Sequence, residues 1–148
     1  MNDSSLRERL MLVELNYLQK KTDREFQLRR RLECANEDGV VKCISCGAYG
    51  HYKSFDGGHF IQKTHKGTRY ATLNVWPQCK KCNKYLYGNH AKYRDKLVEK
   101  LGQQGVVNLE ELKDKMPFDI GTSWREWCIE VFIFSKNVVK QLQKNVRG

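Results

Sequence analysis

Nearly all the side chains that can do chemistry lie in residues 43–83, CISCGAYGHYKSFDGGHFIQKTHKGTRYATLNVWPQCKKCN. Two C-x-x-C pairs, Cys43/Cys46 and Cys79/Cys82, bracket a Gly-Gly-His step, a Trp-containing run and an Asn. Each pair puts two thiolates on one tight knuckle, so two knuckles can supply the tetrahedral four-sulfur shell that zinc prefers. Four reduced cysteines that merely pack in a core are the competing reading. The paired spacing, with Gly47 after the first pair, argues against it. A disulfide scaffold is the weaker competitor, because no secretory signal precedes these cysteines. A structural zinc held by Cys43, Cys46, Cys79 and Cys82 is therefore expected.

Between the knuckles stand Gly57-Gly58-His59-Phe60, then Asn74 at the head of NVW, then Asn83 directly after Cys82. The order His59, Asn74, Asn83 resembles the signature of the HNH, or His-Me finger, endonucleases. The resemblance implies two strands and a helix around one catalytic metal. It implies His59 as the general base that activates water, Asn74 as the brace behind the loop, and Asn83 as the holder of a divalent metal on the scissile phosphate. Many members of that family carry Asp or His directly before the catalytic His, where this chain has Gly58. The string Asp56-Gly57-Gly58-His59 looks more like a D-R-G-H subtype. That implies a single-metal site centred on Asn83, with Asp56 an indirect contributor.

These residue types suit phosphodiester hydrolysis. The reaction needs a deprotonated water, and imidazole titrates near neutral pH. It also needs positive charge on the phosphate, which a hard Mg²⁺ or Mn²⁺ held by oxygen ligands supplies. A carboxamide oxygen is a weak ligand, so substrate phosphate and waters must complete the shell.

A closer resemblance covers residues 40–102. The runs Cys43–Gly47, Gly57–Phe60, Asn74–Asn83, Leu86–Asn89, Tyr93-Arg94 and Leu101-Gly102 look like the phage NinG (Rap) recombination family. That resemblance implies a structure-selective endonuclease for branched DNA such as Holliday junctions and D-loops, acting in the cytoplasm of a bacterial host. A non-selective or nicking HNH endonuclease, a non-catalytic zinc module that binds nucleic acid, and a protein-binding adaptor are the alternatives. No recognition helix with base-reading residues stands out, so phosphate contacts and DNA shape should dominate binding.

Charge points the same way. The chain has 148 residues and a formal net charge of +10. Between Lys42 and Lys100 there are 12 Lys/Arg against Asp56, Asp95 and Glu99, whereas the flanks carry 15 basic and 14 acidic residues. A basic excess concentrated on one motif fits a polyanion partner, since Lys and Arg on phosphates release condensed counterions. Lys63, Lys66, Arg69, Lys80, Lys81, Lys84, His90 and Arg94 are the candidate DNA contacts. No apolar run is long enough for a membrane span, and Glu14 interrupts Leu10–Leu15 without a cleavage site after it. Cys34 and Cys128 read as buried small apolar residues.

The elements that position this chemistry suggest an α+β fold and one domain over residues 1–148. A zinc-stabilised ββα core at 40–102 would be flanked by a helical arm at 4–34 and C-terminal helices at 108–146. Ser5-x-x-Glu8 and Thr22-x-x-Glu25 read as capping boxes, and Leu6, Leu10, Val13 and Tyr17 share one helical face. Arg29-Arg30-Arg31 gives the arm a basic end, so it either embraces DNA, forms a dimer or covers the core. Strands are expected at Gly58–Gln62 and Tyr70–Trp76, closed by Pro77, with an exposed loop at Thr64–Thr68 between them. A helix should run from Asn83 to Leu101, with Gly88 inside it marking a kink or a close approach to DNA, and with His90 on much the same face as Asn83. Asn108-x-x-Glu111 and Ser123-x-x-Glu126 should cap the last helices. The final one carries the stripe Trp124, Trp127/Cys128, Val131, Phe134, Val138 and Leu142. At about 30 Å it is longer than a small zinc core needs, which makes the N-terminal helix or a second subunit its natural cover.

Overall fold

The computed structural model describes residues 2–147. Helix α1 spans Asp3–Leu10, and the Asn2 side chain caps it by accepting from the Ser5 N–H at 2.8 Å. The cap is thus Asn2 rather than Ser5. The chain then breaks, and α2 runs unbroken over Leu15–Glu33. Thr22 is buried inside α2, where its hydroxyl donates to the Cys128 carbonyl at 3.1 Å instead of starting a helix. The break also rotates Tyr17 off the Leu10 face, leaving it exposed.

Helix α5, Trp124–Gln143, packs along α2. Ser123 caps it as expected, accepting from the Glu126 N–H at 3.0 Å. Its buried face is Cys128, Ile129, Val131, Phe132, Ile133 and Val139, while Phe134 is 59% exposed. The expected stripe holds at Trp124, Trp127, Cys128, Val131 and Leu142 but slips at Phe134 and Val138, because the run VFIF offers two faces and packing buries Phe132, Ile133 and Val139 instead. Leu10, Leu18, Phe26, Tyr70 and Val75 complete this cluster. The N-terminal segment covers the core rather than standing off as an arm. Its basic end is spent internally: Arg30 donates to the Val75 carbonyl at 2.8 Å and Arg31 to the Tyr52 carbonyl at 2.6 Å.

Two short antiparallel hairpins carry the centre. Strands β1 (Val40–Lys42) and β2 (Tyr49–His51) pair Val41 with Gly50. Strands β3 (Asp56–His59) and β4 (Val75–Gln78) pair His59 with Val75 and Gly57 with Pro77. The first expected strand therefore begins two residues before Gly58 and stops at His59. The second begins at Val75, because Tyr70–Asn74 is taken up by the end of helix α3 (Lys66–Arg69) and a 3-10 turn at Thr72–Asn74. Pro77 lies within β4, tolerated because both strands of a two-stranded sheet are edges. The segment expected as an exposed loop has Gly67 and Thr68 buried, with the Gly67 N–H donating to the Lys113 carbonyl at 3.2 Å.

After the second knuckle comes a π-helical turn, Lys81–Tyr85. Tyr87, Gly88 and Asn89 then adopt left-handed φ of 51°, 92° and 44°. Helix α4 starts only at His90 and runs to Leu112, bent where Gly102 has φ 78°. The expected continuous helix from Asn83 does not form, so His90 does not share Asn83's face. Asn108 lies inside α4, accepting from Gln104 at 2.8 Å, and is not a cap. Past the bend, Val106 and Leu109 close a second core with Ile44, Phe60, Ile61, Tyr93 and Leu97. Among the described residues no helix is long and apolar enough to cross a membrane.

Candidate functional site

Chain reversal at the two knuckles brings Cys43, Cys46, Cys79 and Cys82 together. Their sulfurs all lie within 4.8 Å of one another, and Cys46 and Cys79 are 3.7 Å apart. Zinc–sulfur bonds of about 2.3 Å imply tetrahedron edges of roughly 3.8 Å, so the cluster can hold zinc with little adjustment. The knuckle backbone is already turned toward the sulfurs. The N–H groups of Cys46 and Cys82 point at Cys43 and Cys79 at 3.5 Å, and the Asn89 amide donates to the Cys82 sulfur at 3.4 Å. The remaining cysteines lie apart from this cluster: Cys128 is fully buried in the α2–α5 core, and Cys34 is only half-buried.

Strand β3 and the residues after it, Gln27 of α2 and the turn from Asn83 to Gly88 wall an open cleft of about 450 Å³ that Asp56, His59 and Asn83 all line, with Lys63 and Lys84 beside them. His59 ends β3, and its Nε2 lies 2.8 Å from the Arg69 carbonyl oxygen. A carbonyl only accepts, so Nε2 carries the proton and Nδ1 keeps the free lone pair. Burial pushes the imidazole pKa down to about 4; the Arg69 carbonyl and Asp23 offset this only in part, and Lys63 adds to it. His59 is therefore neutral at pH 7 but, contrary to the near-neutral titration expected of it, a weaker base than an ordinary imidazole.

Asn83 donates from its amide nitrogen to Asp56 at 2.9 Å, which turns its carboxamide oxygen away from that carboxylate. Lys80 donates to the other Asp56 oxygen at 2.8 Å. Burial disfavours the Asp56 charge, but these two hydrogen bonds outweigh it and hold the carboxyl below its ordinary value. Both Asp56 oxygens are thus engaged by protein donors, and the Asn83 carboxamide oxygen is the group left facing away from them.

Asn74 is fully buried behind His59. Its side chain accepts from the Ile61 N–H at 2.7 Å and donates to the carbonyls of Ile61 and Thr68 at 3.0 and 2.9 Å. It ties the exit of β3 to α3, the element that carries the Arg69 carbonyl.

The candidate DNA contacts divide. Lys63 and Lys84 line the cleft, while Lys80 borders it through Asp56, and Lys81 is exposed on the same helical turn. Arg69 does not face outward for phosphate. Its guanidinium makes a double hydrogen bond to the buried Asp23, at 3.0 and 2.8 Å. Lys66 sits over the Trp124 ring, and Arg94 pairs with Glu110 at 3.4 Å, both outside the cleft. His90 stacks on Phe60, ring centroids 4.6 Å apart.

Sequence reasoning missed several supports. Asp23 also accepts from the Tyr70 hydroxyl at 2.7 Å. Buried Tyr93 donates to the Gly58 carbonyl at 2.7 Å, and buried Gln78 donates to Ser45 and to the Gly88 carbonyl. A Cβ on Gly58 would lie 2.0 Å from the Gln78 side-chain oxygen. A side chain at position 58 would therefore require the buried Gln78 to move. Gln78 and Tyr93 both fall in the motif runs already noted, but spacing alone assigns them no role.

The family model described as "Bacteriophage Lambda NinG protein" matches residues 4–145. The chain is 28% identical over 112 residues to protein ninG of Escherichia phage lambda, covering 75% of this chain and 50% of that protein. It is 32% identical over 112 residues to protein ninG of Escherichia phage 933W, covering 75% of this chain and 51% of that one. Protein ninG of Salmonella phage P22 is 32% identical over 74 residues, 49% of this chain and 36% of that protein. The chain spans about half the length of the lambda and 933W relatives. No solved structure matches it. With a zinc-compatible cysteine cluster between two short hairpins and a family match over nearly its whole length, the chain belongs to the NinG family.

Proposed function

We propose that this protein is a divalent-metal-dependent endonuclease with a His-Me finger core, acting on branched DNA in the cytoplasm of a bacterial host. The observation that carries the reading is the His59 imidazole. One nitrogen is fixed on the Arg69 carbonyl, and the other is free in a cleft shared with Asp56 and Asn83.

In this reading His59 takes a proton from the attacking water through Nδ1, while the Nε2 hydrogen bond holds the ring in orientation. The Asn83 carboxamide oxygen would hold Mg²⁺ or Mn²⁺, with Asp56 contributing indirectly by fixing the Asn83 amide; the ion would supply charge stabilisation to the phosphate and the leaving oxygen. Lys63 and Lys84 neutralise backbone phosphate at the cleft, and Asn74 keeps β3 and α3 in register behind His59. Zinc on the four cysteines locks the hairpins that carry these groups. Cutting two strands at a branch calls for two such sites, so the reading includes a two-fold dimer, checked by sedimentation with and without DNA.

The test is cleavage of matched junction, flap and linear DNAs in Mg²⁺ or Mn²⁺. Cutting best at the junction, and lost in His59→Ala and Asn83→Ala, supports the proposal. Equal cutting of all three would instead mark a non-selective nuclease. Tight binding without cutting in any metal would mark a zinc-stabilised binding module.

A further inference from the structure

The most exposed apolar surface beside the cleft is the turn that follows the second knuckle. Tyr85, Leu86 and Tyr87 are 77%, 45% and 93% exposed, and Tyr87 also lines the cleft with His59 and Asn83. Its φ of 51° is left-handed, a conformation bulky side chains avoid, and Asn89 at 44° shares it. Yet the turn is firmly tied down. The Leu86 N–H donates to the Lys81 carbonyl at 2.9 Å, and the Gly88 N–H to the Cys82 carbonyl at 2.8 Å. Gln78 donates to the Gly88 carbonyl at 2.6 Å, and Asn89 to the Cys82 sulfur at 3.4 Å. A strained residue held by its surroundings is the usual form of a preorganised contact. Here the arrangement presents a phenol ring at the mouth of the cleft.

The surroundings indicate what covers that ring. Exposed Lys81 and Lys84 lie on the π-helical turn itself, and Lys80, paired with Asp56, precedes it, so the aromatic patch sits in a cationic setting. Nucleic acid complements both parts, because a base stacks on the ring while flanking phosphates meet the lysines. A base inside continuous duplex already has both faces stacked, and engaging the ring would require unstacking it. A base at a branch or gap has a face to spare. We propose that Tyr87 is a wedge that stacks on the unpaired or unstacked base at a DNA branch and so selects branched DNA over continuous duplex. The proposal takes its DNA partner from the nuclease reading, but it does not require cleavage.

The experiment measures fluorescence anisotropy of a four-way junction and of a linear duplex of equal length, using chain that carries His59→Ala to exclude cutting. Tyr87→Ala should weaken junction binding about tenfold, the worth of one stacked base, and leave the duplex unchanged. Tyr87→Phe should restore the preference, because it keeps the ring. Tyr85→Ala, which removes similar apolar area outside the cleft, should leave the ratio intact. Zinc content and melting temperature of each variant check the fold. Loss of affinity for both DNAs alike, no change in either, or an equal effect of Tyr85→Ala overturns the wedge. So does a shift in sedimentation of Tyr87→Ala without DNA, which would make the patch an interface between copies. If wild type cuts neither DNA, the nuclease reading falls while the binding ratio still decides on Tyr87.

Discussion

The Nε2 of His59 lies 2.8 Å from the carbonyl oxygen of Arg69, and Arg69 is in turn held by two hydrogen bonds to the Asp23 carboxylate on α2. The imidazole thus reports on a buried chain of contacts that runs from the cleft into the helical layer.

That burial gives a pH signature. His59 has its folded pKa lowered to about 4 from an ordinary value near 6.5. The unfolded chain therefore takes up the proton first as pH falls. The stability contributed by neutral His59 is complete above about pH 6.5 and drains away between there and pH 4. Wild type should lose roughly 2–3 kcal/mol more than His59→Gln between pH 7 and pH 4.5, measured by urea unfolding. Parallel pH profiles for the two proteins would show that His59 titrates normally.

Asn74 should be structural first and functional through that. Its buried amide makes three hydrogen bonds to backbone around the cleft. Asn74→Ala strands those backbone groups and should cost about 2–4 kcal/mol, a fall in melting temperature of roughly 5–15 °C. A variant that melts within a degree or two of wild type would remove Asn74 from the frame of the site.

Arg69 distinguishes a phosphate contact from an internal tie. Asp23 is 9% exposed and also has Lys63 at 3.7 Å, so deleting its carboxylate leaves the largely buried Arg69 guanidinium without its charged partner. Asp23→Asn should destabilise the fold by about 3–5 kcal/mol. Lys84→Ala, by contrast, should weaken DNA binding and lower its salt dependence while leaving stability within about 0.5 kcal/mol. The opposite pattern would return Arg69 to the DNA-facing surface.

The zinc cluster makes a compositional prediction. Purified chain should contain one zinc per molecule by elemental analysis. Cys46→Ser should lose it, and a strong chelator should unfold the region around both hairpins. Wild-type protein free of zinc but fully folded would contradict the assignment.

How much of this was legible beforehand follows from the type of signal. The cysteine cluster was, because C-x-x-C spacing is a local property and zinc geometry closes the rest. The Ser123 cap and the pairing of terminal helices were also legible, from side-chain type and amphipathic length. The break between Asn83 and His90 was legible only as a kink at Gly88, not in its extent. Tyr87 and Asn89 take left-handed φ where only Gly88 signals it, and the bonds that hold them come from Gln78 and Cys82, far off in sequence or facing backward. The fate of Arg69 was equally hidden, since its partner Asp23 lies 46 residues away on another element. The strand limits shifted because Asn74, expected inside the Tyr70–Trp76 strand, spends its side chain on three tertiary hydrogen bonds and closes a turn instead.

The most direct test of the central claim is the initial cleavage rate of a four-way junction in Mg²⁺ by wild type, His59→Ala and Asn83→Ala, each confirmed folded and zinc-loaded. The expected result is metal-dependent cutting by wild type, with losses of at least about 100-fold in both variants and junction binding retained. Cutting by His59→Ala at the wild-type rate, or none by wild type with either Mg²⁺ or Mn²⁺, would contradict a hydrolytic site built on His59 and Asn83.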